Sequence, residues 1–342
     1  MDTIDTASRL EPLSTVTTRP GWRRLAARVG LGVVASLAII AAAGAIYETI
    51  ASRGDAAAHP MRGHLVDVGG YRLHLDCRGR GSPTVVMDAG LGGSSLDWTL
   101  VQPALAGDTR VCAYDRAGMG WSDAGPSPRS PVQIAEELHT LLRNAGEPGP
   151  YILVAHSLAG KTARLFAAAD PAEVTGMVLV DARSERIDGA ASKFDADAFS
   201  AALQAQANLY TVARRFGIAR LFGASLLEQP LVPPAVASWM VLLQTAPAAI
   251  EEAAREGLAR AADDDALAGT TLGAMPLRVI AAGESMRGIP GWASAQQALA
   301  ALSSRGRLVI AAHSPHYVQL SDPNVVIAAV REVLADARAA TR

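Results

Sequence analysis

The chain has 342 residues, 50% of them hydrophobic, with 31 Lys+Arg set against 33 Asp+Glu. That length and apolar content suffice to bury a large core and exclude a disordered tail. A net charge of −2 without a dense basic block excludes a nucleic-acid binder built on many phosphate contacts, and two cysteines, Cys77 and Cys112, are too few and too isolated for a disulfide-dense scaffold or a zinc site.

The first element is Val29–Tyr47, VGLGVVASLAIIAAAGAIY. This uncharged run matches the roughly 20 residues a helix needs to cross a bilayer core. Arg9, Arg19, Arg23, Arg24 and Arg28 precede it, whereas Glu48, Arg53 and Asp55 follow. The positive-inside rule therefore predicts a cytoplasmic tail at 1–28, a single transmembrane anchor at 29–47 and export of everything beyond. Secretion after cleavage near Ala41 and Ala43 is the alternative. A polar, small-residue linker at 48–60 leads into one domain, 61–342.

In that domain, short apolar runs alternate with helix-like stretches, the pattern of a mostly parallel sheet covered on both faces. His64–Val68 and Tyr71–Cys77, joined by Gly69-Gly70, predict a hairpin. Thr84–Asp88, Arg110–Asp115, Tyr151–Ala155, Met177–Asp181, Leu277–Ala281 and Leu308–Ala312 complete eight candidate strands. The stretch at about 182–276 has helical apolar spacing in Phe199–Tyr210 and Val236–Leu243 and predicts a helical insertion. Its segment Ala237–Leu243, ASWMVLL, is either the wall of an apolar pocket or the core of the insertion.

Between the strand YILVA and the helix-like TARLFAAA stand Ala155-His156-Ser157-Leu158-Ala159-Gly160-Lys161-Thr162. Small residues at Ala155 and Ala159 let strand and helix pack closely while Ser157 is held on a strained, exposed turn, which is the nucleophile-elbow reading. The same residues, Ala155 to Thr162, match a relaxed phosphate-loop pattern, with MVLVD as an apolar strand ending in a metal-binding Asp181. A phosphate cradle needs several glycines with converging amides, and only Gly160 is offered. Ahead of the elbow, TVVMD runs into Ala89-Gly90-Leu91-Gly92-Gly93-Ser94, a turn where the Leu91 amide would face a developing oxyanion, joined by the amide of Leu158.

Two further segments carry a family resemblance. Ala113-Tyr114-Asp115-Arg116-Ala117-Gly118-Met119-Gly120-Trp121-Ser122-Asp123 resembles the YDRRGHGxS-type turn of the α/β-hydrolase superfamily. RLVIAAH followed by Ser314-Pro315-His316-Tyr317-Val318-Gln319-Leu320 is similar to that family's S-G-H-hydrophobic motif, with Pro315 in place of the glycine. The resemblance runs from roughly His64 to Leu334 and implies an AB hydrolase-1 type serine hydrolase. The expected architecture is an α/β-hydrolase fold, an eight-stranded mostly parallel sheet with the insertion as a helical lid, preceded by the transmembrane helix.

A serine hydroxyl needs a neighbouring base, and His316 fits that place better than His313, which ends the strand. Two carboxylates compete for the third place. The family's usual acid follows the strand LRVIAAG, where the carboxylate present is Glu284, immediately after Gly283 and earlier than the usual Asp would stand; Asp181 ends MVLVD, where certain haloalkane dehalogenases carry their acid, and is favoured here. Asp88 is expected to fix loop amides, and Asp115 with Arg116 to form a structural turn pair. In the family's sheet the strands carrying Cys77 and Cys112 are neighbours, which predicts a disulfide in an exported domain.

The resemblance thus implies hydrolysis of a small-molecule carboxylic ester with an apolar acyl part through an acyl-enzyme on Ser157. That chemistry needs no metal or organic cofactor, and the implied partner besides substrate is the membrane. Serine at the elbow disfavours chemistry on an aspartate nucleophile. A cofactor-free haloperoxidase, a carbon–carbon bond hydrolase, a phosphate-loop nucleotide binder and an inactive hydrolase-like protein are the alternatives.

Overall fold

The central strands of the sheet are runs that are apolar at nearly every position because both of their faces are covered, whereas the two opening strands and the last one carry polar or exposed positions. In the computed structural model, which describes residues 21–58, 60–185, 196–218, 220, 234–260 and 262–340, the strands are β1 (His64–Asp67), β2 (Arg72–Arg78), β3 (Thr84–Asp88), β4 (Val111–Tyr114), β5 (Tyr151–His156), β6 (Val174–Val180), β7 (Leu277–Ala282) and β8 (Gly306–Ala311). They form one eight-stranded sheet in the order β1-β2-β4-β3-β5-β6-β7-β8. β2 is antiparallel to β1 and β4, and all later pairings are parallel.

Alternation along each strand divides the core in two. Val86, Leu153, Met177 and Leu179 pack on one side with the helices Pro131–Asn144 and Ala159–Ala169. Val85, Met87, Ile152, Val154, Val178 and Val180 pack on the other with Pro323–Ala340. The β1–β2 hairpin turns at Gly69 and Gly70, whose φ of +119° and +99° are closed to residues with side chains. Asp67 Oδ1 accepts from both of their amides. Cys77 and Cys112, partners in register on β2 and β4, are joined by a disulfide.

Between β6 and β7 the chain leaves the sheet for the helices Ala196–Arg215, Pro234–Gln244 and Pro247–Ala259, which lie over the carboxyl edge. Both stretches with helical apolar spacing fall inside these helices. At the other end of the chain, one helix runs unbroken from Gly21 to Ala58. Its part Gly21–Gly54, whose most apolar 18-residue window has mean hydropathy 2.4, is a candidate transmembrane segment. Most of the expected linker at 48–60 is helical, because Ala51 and Ala56–Ala58 are strong helix formers and no proline intervenes before Pro60.

Candidate active site

Four chain segments that end at the carboxyl edge of the sheet meet at Ser157. The serine follows β5 with φ +53°, a left-handed conformation that side chains disfavour. Its amide donates to Val180 O at 3.0 Å, and its carbonyl accepts from Gly160 N at 3.1 Å and Arg183 N at 2.8 Å, so backbone bonds hold the strained turn. Ala155 and Ala159 are buried as the elbow's small residues. One place later the chain passes close to Ala182, where a Cβ on Gly160 would lie 2.7 Å from the Ala182 Cβ.

His316, in the loop after β8, lies with Nε2 2.9 Å from Ser157 Oγ and Nδ1 2.7 Å from Asp181 Oδ2. Asp181 is fully buried at the end of β6, itself at φ +41°. Its carboxylate also accepts from the Ala282 amide at 2.9 Å, Trp292 Nε1 at 2.8 Å and Ser285 Oγ at 2.5 Å. These donors satisfy the buried oxygens and fix their direction toward the imidazole. The competing Glu284 is exposed, and His313 is exposed as well. Sequence reasoning missed Ser285 and Trp292; the carboxyl-edge loop after β7 was their one signal.

His156, beside Ser157, donates from Nε2 to the His316 carbonyl at 3.0 Å. Burial, then the proximity of His316, push its pKa well below the ordinary histidine value, so it holds the His316 backbone as a neutral ring.

The turn after β3 packs directly on the elbow, since a Cβ on Gly90 would lie 3.1 Å from Ser157 Cβ. Arg116 Nη2 donates to Gly90 O at 2.7 Å and Gly93 N donates to the same oxygen at 3.0 Å. A trans peptide points its N–H opposite its C=O, so the Leu91 amide faces away from Arg116. Asp88 does not fix loop amides as expected. Its carboxylate accepts from Arg116 Nη1 at 2.6 Å and Tyr114 OH at 2.9 Å, and the loop amides of Ser95 and Trp121 go to Asp115 instead, at 2.6 and 3.0 Å. Nor is Arg116 only a turn residue: Glu256 of the lid binds it through both carboxylate oxygens, at 2.8 and 2.9 Å.

A cavity of about 210 Å³ opens beside Leu91, lined also by Ala207, Tyr210, Gln244, Ile250, Ala253 and Ala254. Ala237–Leu243 does not line it. Met240 from that segment packs with Leu320 as lid core, the commoner fate of apolar helical spacing.

The phosphate-loop reading finds no cradle. Lys161 is fully buried and its Nζ donates to Arg260 O at 2.8 Å and to Asp264, which ties the elbow helix to the lid. Among the described residues, the one cluster with metal-ligand spacing is Cys77, Cys112 and Glu147. Its sulfurs are bonded to each other, and Glu147 pairs with Arg110.

Comparison with known proteins gives one family. The sequence profile of the "Alpha/beta hydrolase family" matches residues 85–330. An uncharacterized protein of Schizosaccharomyces pombe is 31% identical over 240 residues, 65% of this chain and 40% of that protein; the chain thus spans less than half the length of that curated relative. Among solved structures, a thermophilic esterase from Thermogutta terrifontis is similar with TM-score 0.60 at 20% identity, covering 80% of this chain and 98% of its own. A laboratory-evolved variant of a potato epoxide hydrolase has TM-score 0.66 at 15% identity, covering 80% and 98%.

Proposed function

Because the chain belongs to the alpha/beta hydrolase family, we propose that it is a serine hydrolase acting on carboxylic esters, with Ser157 as nucleophile, His316 as base and Asp181 as the acid that orients it. The observation that carries this reading is the unbroken relay Asp181 Oδ2–His316 Nδ1 and His316 Nε2–Ser157 Oγ, at 2.7 and 2.9 Å.

In the first half-reaction His316 Nε2 takes the Ser157 proton as Oγ attacks the ester carbonyl. The Leu91 and Leu158 amides stabilise the oxyanion. His316 then returns the proton to the departing alcohol, leaving an acyl-enzyme. In the second, His316 activates a water that hydrolyses the acyl-serine and frees the acid. The hydroxyl, imidazole and carboxylate suffice for these steps, with no cofactor. The mainly apolar cavity beside Leu91 suits the acyl part. Serine at the elbow favours an acyl-enzyme over the alkyl-enzyme route of an aspartate nucleophile.

The reading includes a retained anchor, with the N-terminus in the cytoplasm and the hydrolase unit on the far side. It rests on the arginines before the apolar run. The test is labelling of the full chain with a fluorophosphonate and mapping of the labelled peptide. Label on Ser157, absent from Ser157→Ala and His316→Ala, is expected. A folded chain that takes no label at Ser157 would overturn the mechanism.

A further inference from the structure

The end of the N-terminal helix is not a free tether: it is docked on the lid. Glu48 is paired with Arg214 and Arg220 at 2.7 and 3.0 Å, and Ser52 donates to the same carboxylate at 2.8 Å. A Cβ on Gly44 would overlap the Phe216 carbonyl, and one on Gly217 would lie 3.1 Å from the Tyr47 ring. Ala41, Gly44, Ala45, Glu48, Ala51 and Ser52 are the partly or fully buried positions on this stretch. Their spacing of three and four residues marks one helix face laid against the lid.

This contact has a depth. The uncharged run between Arg28 and Glu48 rises roughly 28 Å as a helix, about the thickness of the hydrocarbon core. When the run fills the core, Gly44 and Tyr47 lie at its far boundary, and the lid turn touching them lies there too. The lid is dressed for that place. Leu209, Val212 and Ile218 are 68%, 53% and 45% exposed, and Leu209 and Val212 share a helix face at three-residue spacing. The next residue, Tyr210, lines the cavity beside Leu91. One helix therefore separates that cavity from the apolar outer surface.

We propose that the outer face of the lid at Leu209, Val212 and Ile218 rests in the headgroup layer of the bilayer spanned by the N-terminal helix, and that the substrate is an amphiphilic ester delivered from that layer. The substrate part deepens the ester-hydrolase reading and rests on it, whereas the lid placement rests on the retained anchor alone. Clamped by Glu48, the lid stays at the lipid surface whatever the rest of the domain does. Its burial in the interface is favourable in proportion to the apolar area covered.

The test uses the full chain in phosphatidylcholine vesicles. The native cysteines are bonded to each other, so Leu209→Cys and Ile218→Cys each add one reactive thiol for a polarity-sensitive fluorophore. Ala301→Cys, exposed near the opposite edge of the sheet, is the control. Blue-shifted emission and quenching by nitroxide lipid are expected at both lid positions and absent at Ala301→Cys. Water-like emission at the lid positions overturns the proposal, whether or not esters are cleaved. For delivery, Leu209→Glu combined with Ile218→Glu is expected to slow hydrolysis of a vesicle-borne ester about tenfold, with a water-soluble short ester changed less than about twofold. Equal effects on both esters overturn lateral delivery. Should the parent chain cleave neither ester, the hydrolase reading falls with the delivery claim, and the fluorophore still decides the lid's place.

Discussion

Arg116 donates to the Gly90 carbonyl at 2.7 Å while the lid residue Glu256 grips the same guanidinium through both oxygens. The lid thus reaches the peptide whose N–H belongs to Leu91, the proposed oxyanion donor. Burial opposes the Arg116 charge, but Glu256 and then Asp88 outweigh it and hold its pKa well above the usual arginine value. Glu256→Gln keeps the shape and weakens the grip. Loss of a whole oxyanion donor costs about 10²–10³ in kcat; loosening it through Glu256→Gln is expected to lower kcat roughly tenfold with KM little changed. Steady-state kinetics on a soluble ester check this. An equal loss in fluorescence-monitored stability without the kcat effect would make the contact purely structural.

The Asp181–His316 bond makes a sharper prediction. Asp181→Asn retains the volume but presents an amide to imidazole Nδ1, which favours the wrong tautomer. A fall of about 10⁴ in kcat is expected, with Ser157→Ala and His316→Ala at least as severe. Glu284→Gln, at the exposed rival, is expected to leave kcat within about twofold.

Ser157 holds a left-handed conformation, φ +53°. Ser157→Gly removes the hydroxyl and the Cβ that makes this backbone costly. Activity is expected to vanish while stability rises by about 1 kcal/mol, measured as a shift in the urea midpoint. A destabilised Ser157→Gly would mean that the elbow is not strained.

Asp97 is fully buried and accepts from Gln244 of the lid at 3.1 Å. Burial pushes its pKa from 3.8 up to about 7. The folded state therefore holds a proton that the unfolded chain has lost, and the associated stability, complete below about pH 4, disappears as pH rises through 7. Asp97→Asn cannot lose that proton. Relative to the parent, Asp97→Asn is expected to gain stability between pH 4 and 8, by up to about 4 kcal/mol. Thermal melts across that interval read the effect, and parallel curves for the two proteins would refute it.

The disulfide closes a separation of 35 residues between adjacent strands. Cys77→Ser with Cys112→Ser is expected to cost about 3–4 kcal/mol. Thiol titration of unfolded, unreduced protein recovered from an oxidising compartment is expected to find no free sulfhydryl.

Much of this architecture is legible in the chain alone, because it depends on a few neighbouring residues. Runs such as TVVMD and YILVA are apolar at successive positions because strands buried on both faces must be. The turn at Ser157 is marked by the small residues around it, and the candidate span by its length and apolar composition. Tertiary structure decided what depends on residues far apart. Asp181 and Glu284 both end or follow strands at the same edge, and only the exit direction at φ +41° and the donors Ser285 and Trp292, over 100 positions away, set Asp181 against His316. Asp88 and Asp115 likewise exchanged their expected tasks through packing. The helix beyond Tyr47, read locally as a linker, docks on Arg214 and Arg220 through Glu48. Local periodicity and turn chemistry determine which elements form. Which polar group meets which is settled when those elements pack, since a buried charge is stable only where its partners arrive.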